Sequence, residues 1–232
     1  MLLSEDHRAV QDAVRAFVQQ EIAPHAARWD KECHFPAAEL KGLAALGCYG
    51  IAVPAEWDGA GLDYLALAVI LEEIAAGDGA TSTVVSVTNC PVCSILMAWA
   101  NDAQNAQWLR PLARGDMLGA FCLTEPHVGS QADGLKTTAV RVSDGDGDAY
   151  VINGVKQFIT SGKNGDVAIV IAVTDKGAGK GAIVAIEREL VDQASGKKLA
   201  RGLSVSFLRG DGGYSANGGA SCCLLPHPAT PR

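Results

Sequence analysis

Val10, Val14, Phe17, Val18 and Ile22 recur at three- and four-residue intervals, the spacing that gathers side chains on one face of a helix. An acidic start at Ser4-Glu5-Asp6 and a stop at Pro24 bound it. A second helix is expected from Ala37 to Leu46, after Phe35-Pro36 and before Gly47. From Pro54 to Gly61 no period survives, and Asp58-Gly-Ala-Gly61 reads as loop. Leu62 to Ala76 is apolar on nearly every side, with Glu72-Glu73 near its end, and suits a buried helix. Thr81 to Val87 is rich in β-branched residues and reads as a strand on propensity. Gln104 to Leu112 reads as one more short helix.

Near residue 119 the pattern changes. Gly119 to Thr124, Thr137 to Val142, Ala149 to Asn153, Gln157 to Thr160 and Val167 to Val173 are short apolar runs separated by Gly and Asp. That spacing predicts an antiparallel sheet or barrel, with Asp144-Gly-Asp-Gly-Asp148 as a turn between two strands. The fold class expected is α+β: an all-α domain over 1–118, followed by an antiparallel β-domain over 119–186. From about 187 the alternation stops. Residues 209–232 are rich in Gly, Ser and Pro, a composition that buries too little apolar surface to offset its ordering entropy, so 187–232 is expected to be a divergent, disordered tail.

Composition narrows the function classes. Apolar residues make up 48% of the 232, enough for a globular core. Lys and Arg number 19 against 26 acids, a net charge of -7, and the basic residues are scattered, which argues against nucleic-acid or anionic-membrane surfaces. The longest apolar runs, Tyr64 to Leu71 and Val167 to Val173, fall well short of the roughly 20 residues of a bilayer span. The start, Met-Leu-Leu-Ser-Glu-Asp-His-Arg, lacks the form of a signal peptide, and a cytoplasmic protein is expected. Its seven cysteines then read as reduced thiols.

The segment richest in chemistry is Ala120-Phe-Cys-Leu-Thr-Glu-Pro-His-Val-Gly-Ser130. It reads as a strand leading into a loop, where Pro126 fixes the backbone, Gly129 admits a ligand closely, and Thr124 and Ser130 offer hydroxyls. By itself this is an ordinary strand and turn. It resembles, however, the Leu-Thr-Glu-Pro-x-x-Gly-Ser signature of acyl-CoA dehydrogenases. Tyr150-Val-Ile-Asn-Gly-Val-Lys-Gln-Phe-Ile-Thr-Ser-Gly162 resembles that family's Asn-Gly-x-Lys-x-x-Ile-Thr stretch. Glu21-Ile-Ala-Pro24, Phe35-Pro36, Gly50-Ile-Ala-Val-Pro54 and Gly59-Ala-Gly-Leu62 agree in order, so the likeness runs over residues 1 to 185.

The resemblance implies FAD as cofactor, an acyl-CoA thioester as substrate, α,β-dehydrogenation as reaction and an electron-transfer flavoprotein as acceptor. It places Phe121, Leu123, Thr124, Gly129 and Ser130 along the flavin, with Ser130 also facing the acyl-CoA pantetheine. Phe158, Ile159 and Thr160 would cover the other edge of the ring, Phe158 standing where many members carry Trp. It also implies a homo-oligomer for a full-length member. The family's catalytic Glu comes from a C-terminal helical domain and its β-domain closes with a Lys-Leu-Gly-x-x-x-Ser-x-Thr segment. Neither is found, so the β-domain is expected to be incomplete, the chain to be a truncated or frameshifted product inactive alone, and no catalytic residue is assigned. A flavin-dependent oxidase or monooxygenase of the same fold, and a non-catalytic acyl-CoA or partner-binding module, stand as alternatives.

No metal site is expected. Cys90-Pro-Val-Cys93 has no second ligand pair and reads as thiols within a helix. Asp144 to Asp148 opens like a calcium loop, but the positions that need Gly and Glu hold Ala149 and Val155. His127 reads as a structural loop residue beside the cofactor rather than an acid or base.

Overall fold

A computed structural model describes residues 3–144, 147–174 and four short strands within 184–206. Two compact units emerge, one of residues 1–119 with 163–165, the other of 120–162 with 166–232.

The first unit is helical. It contains α1 (Glu5–Phe17), α2 (Ala26–Glu32), α3 (Ala37–Ala45), α4 (Tyr64–Gly77), α5 (Gly79–Val87), α6 (Ser94–Trp99), α7 (Asp102–Gln104) and α8 (Arg110–Arg114). Ser4 caps α1 by accepting the His7 N–H, and His7 returns its ring nitrogen to the Ser4 N–H. The other ring nitrogen of His7 lies 2.9 Å from Asp63, which caps α4 by accepting from the Ala66 N–H. The two helix starts are therefore tied together. Val14, Val18, Ile22, Leu43, Tyr49, Ile51, Ile70, Ile74 and Val85 form the core between α1, α3, α4 and α5. Glu73 is buried in this unit and is met by Arg15 through two nitrogens, at 2.9 and 2.6 Å, and by Gln11 at 2.8 Å. Those bonds from Arg15 hold its carboxyl below the ordinary value, against the opposing effect of burial.

The strand expected over Thr81 to Val87 is a helix, α5. Asp78 caps it from outside by accepting the Thr81 N–H, and Thr81, Ser82, Val84 and Val85 are buried. Capping and packing prevail over the β-branched composition. The helix continues as a π turn over Thr88–Cys93, with Pro91 inside it, and then as α6. Pro91 has no N–H to give to the preceding turn, which is where a helix widens. The Cys90–Cys93 segment is thus helical as expected, with Cys93 fully buried. The whole run Gly79–Trp99 is long and apolar enough to span a bilayer by length and composition, which the separate short runs in the sequence did not suggest. Its apolar side is used in the core: 61% of its most apolar window is buried inside the protein.

Asn89, 6% exposed, donates to the Cys48 and Val85 carbonyls at 2.9 and 3.0 Å and accepts the Ile51 N–H at 2.9 Å. It pins the chain that leaves α3 onto the π turn. Asn89→Ala strands a buried N–H and a buried C=O, so the helical unit is expected to lose about 1–3 kcal/mol, read as a lower urea midpoint by circular dichroism.

The second unit is a small β-structure. Its described strands are β1 (Gly119–Cys122), β2 (Thr138–Asp144), β3 (Gly147–Asn153), β4 (Val167–Val170), β5 (Val184–Ala185), β6 (Glu189–Val191), β7 (Lys198–Arg201) and β8 (Val205–Ser206). They pair as β1 with β4, β2 with β3, β5 with β8 and β6 with β7. A helical unit followed by a β-unit is the α+β class expected. β2 and β3 form an antiparallel hairpin with Asp144 opposite Gly147, the turn read from the sequence. On one face Ala139, Tyr150 and Ile152 pack with Ala172. On the other, the cross-strand partners Val140 and Val151 are 59% and 57% exposed.

No strand forms over Gln157 to Thr160, contrary to expectation. Phe158 and Ser161 hold left-handed backbone, φ 55° and 60°, which a pleated strand excludes. In the segment expected as a tail, β8 pairs antiparallel with β5, joining chain from before residue 187 to chain after it. Residues 187–188, 192–197, 202–204 and 207–232 lie outside the described residues, and the disorder expected of them with it.

Candidate cofactor-facing loops

β1 leads into a tight reversal. The Glu125 and Val128 backbones exchange hydrogen bonds at 2.8 and 3.2 Å, leaving Pro126 and His127 at the tip. Pro126 stands second in this four-residue turn, where its fixed φ fits. Glu125 itself is 2% exposed. Its carboxylate accepts the Lys136 N–H at 2.8 Å, the Thr137 N–H at 2.9 Å and the Lys156 ammonium at 2.9 Å. The carboxylate therefore meets the chain just before β2 and anchors the loop from both ends. His127 Nε2 sits 3.2 Å from the Gly134 carbonyl and 3.3 Å from Glu125 Oε2, two acceptors that one ring N–H faces. Burial works to raise the Glu125 carboxyl, but hydrogen bonds from Thr137, Lys136 and Lys156 outweigh it and bring the group down to about 2.

The second motif comes to this place through Lys156 and Gln157. Lys156 Nζ donates to the Leu123 carbonyl at 2.9 Å as well as to Glu125. The Gln157 N–H donates to the Thr124 carbonyl at 2.9 Å, and its side-chain amide to the Glu125 carbonyl at 3.3 Å. Four hydrogen bonds thus join 123–125 to 156–157. Beyond them, Ile159 packs against Ala120, Cys122, Ala168 and Val170, while Phe158 leaves 87% of its surface in solvent. The Gly162 N–H closes a turn on the Ile159 carbonyl at 2.9 Å, and Ser161 Oγ within it is buried without a hydrogen-bond partner.

Of the residues singled out in the sequence, Leu123 and Thr124 are half-buried and sit beside the second motif. Phe121 lies on β1, half-buried. At Gly129 a Cβ would meet only the Thr124 methyl group, at an ordinary contact of 3.8 Å. Ser130 is exposed on the loop beyond, where no described hydrogen bond joins it to the second motif. Phe158, Ile159 and Thr160 follow the clamp, exposed, core-facing and half-buried in turn. Glu125, Lys156 and Gln157, which hold the two motifs together, were not singled out. The available signal was a buried-type acid in one motif and a lone cation in the other.

Sequence and structure comparisons agree on a lineage. The family profile for the acyl-CoA dehydrogenase N-terminal domain matches residues 4–116, and that for the middle domain matches 120–224, past the boundary at 186. Short-chain specific acyl-CoA dehydrogenase, mitochondrial, of Rattus norvegicus is 38% identical over 75% of this chain and 41% of its own length. The structure of butyryl-CoA dehydrogenase from Megasphaera elsdenii is 29% identical with a TM-score of 0.74, over 89% of this chain and 56% of that one. A glutaryl-CoA dehydrogenase from Mycobacterium smegmatis in complex with FADH2 is 30% identical with a TM-score of 0.70, over 89% and 53%. This chain spans roughly half the length of the proteins it matches.

Proposed function

Because the chain belongs to the acyl-CoA dehydrogenase family, we propose that Phe121 to Ser130 and Phe158 to Thr160 hold FAD and that the protein serves α,β-dehydrogenation of acyl-CoA thioesters. The observation that carries this reading is the set of bonds from Lys156 and Gln157 to Leu123, Thr124 and Glu125, which brings the two motifs into one surface. The residues present fit a planar, polar-edged group. Phe158 offers an exposed aromatic face, Gly129 leaves room for close approach, and Ser161 Oγ lacks a partner. In this reading Thr124 would bond the pyrimidine edge, Thr160 would lie toward the reactive ring nitrogen, and Ser130 would serve both the phosphate side and the pantetheine.

FAD, when bound, supplies the acceptor for the hydride leaving the β-carbon. What the chain supplies is position, with Ile159, between Phe158 and Thr160, packed against the core. Glu125 does not take the α-proton. Its carboxylate is committed to three donors and held near 2, far from the operating pH a general base needs. Electron-transfer flavoprotein as acceptor and a homo-oligomeric state belong to the same proposal, on family membership.

Titrating the purified chain with FAD and following the quenching of flavin fluorescence tests the reading. Saturable binding is expected, weakened about fivefold or more in Phe158→Ala, since an aromatic face is worth about 1 kcal/mol beyond the area it covers. The variant should fold as the parent does, because its ring is in solvent. Folded protein that leaves flavin fluorescence unchanged would remove the assignment.

A further inference from the structure

Lys156 carries a charge into a place where the fold has no evident use for one. Its side chain is 11% exposed and that of Glu125 is 2%. A buried ion pair is poor evidence of stability, because apolar side chains of similar size often serve as well. What such a pair does supply is one geometry. The Glu125 carboxylate cannot follow Lys156, since the Lys136 and Thr137 N–H groups already hold it. Nor can the second acceptor move, because the Leu123 carbonyl belongs to the backbone leaving β1. The flexible stem of Lys156 therefore ends on two fixed points, two residues before Phe158.

Phe158 needs such support. It is a bulky residue in left-handed backbone, and with 87% of its surface exposed its own packing does not hold it there. The Lys156 and Gln157 bonds on one side, and the seat of Ile159 on the other, impose the conformation. We propose that Glu125 and Lys156 are positioning residues: a buried charged pair that sets Phe158 to Thr160 against Leu123 and Thr124, and thereby the environment of the isoalloxazine ring bound there. This rests on the FAD reading above. Neither residue touches the reacting atoms; both act through the segments they join.

The test uses the full chain with FAD and compares Lys156→Met, Lys156→Arg and the double variant Glu125→Gln/Lys156→Met, each checked for folding by circular dichroism. The double variant removes both charges, so no buried ion is left alone if Lys156→Met fails to fold. Expected results are FAD binding about tenfold weaker in the methionine variants, a visible flavin band shifted toward that of free FAD, and recovery of most of both in Lys156→Arg. A folded methionine variant with parental affinity and spectrum overturns the positioning role alone. A parent chain that binds no FAD overturns the functional reading, and this proposal with it.

Discussion

Replacing Glu125 by alanine is expected to lower the stability of the β-unit by about 3–5 kcal/mol, because it leaves the Lys156 ammonium buried with no opposite charge and only the Leu123 carbonyl to meet it. The loss has a pH signature of known sign. The folded carboxyl sits at about 2, below its ordinary 4.5. A depressed carboxyl stabilises the folded state fully above the unfolded value, and the contribution fades as pH falls from about 4.5 toward 2. Unfolding midpoints of parent and Glu125→Gln, measured between pH 7 and pH 2.5, should therefore be far apart at neutral pH and converge below about 4.5. Glu73 and Asp63 give the helical unit the same sign, their carboxyls being lowered by hydrogen bonds from Arg15 and His7. A gap between parent and variant that stays constant down to pH 2.5 would show that the Glu125 charge does not stabilise the fold.

Gly59→Ala is the second large effect. A Cβ at residue 59 would run into the backbone carbonyl of Val53, which cannot rotate away as a side chain would. That carbonyl also accepts the Gly61 N–H at 2.9 Å, and the neighbouring Ala60 and Leu62 N–H groups bond to Gly50 and Ile51 at 3.0 and 2.8 Å. The whole Val53 to Leu62 loop is thus folded back on itself, and displacing Val53 disturbs all of these bonds. A loss of roughly 1–3 kcal/mol or more is expected, as for overpacking in a core. Gly61→Ala provides the comparison. There the backbone is left-handed, φ 63°, but a Cβ would meet only the Ala55 nitrogen at an ordinary 3.9 Å, so only about 1–2 kcal/mol of backbone strain is at stake. Urea denaturation of the two variants should rank them in that order, and Gly59→Ala melting with the parent would refute the close contact.

How much of this was legible in the sequence follows from how local each cause is. The α1 stripe, the α3 stop at Gly47, the α4 run and the β2–β3 hairpin depend on neighbours within a few residues, and periodicity or turn chemistry reveals them. Thr81 to Val87 was misread because its helix is imposed by Asp78 and by burial of its Val84–Val85 side, neither of which propensity counts. Gln157 to Thr160 was misread for a related reason: apolar residues suggested a strand, while the left-handed Phe158 answers to a clamp whose bonds span 31 and 32 residues of sequence. Glu125 and Lys156 lay in the motifs that carried the family resemblance, yet 31 residues separate them, and no spacing rule pairs two charges at that range. The resemblance named the two motifs. The structure shows what holds them together.

The outward valines of the β2–β3 hairpin bear on how the protein behaves in a tube. Val140 and Val151 face each other across the ladder with more than half of each surface in water, and Val142 beside them is 37% exposed. Apolar area left in water responds to sulfate and phosphate, which favour its removal from solvent. The chain's formal charge of -7 opposes association, but that repulsion reaches only about 10 Å at 0.1 M ionic strength. Charge, more than the chemistry of this face, is therefore what opposes association. Raising sulfate is expected to favour association through exposed apolar faces such as this one.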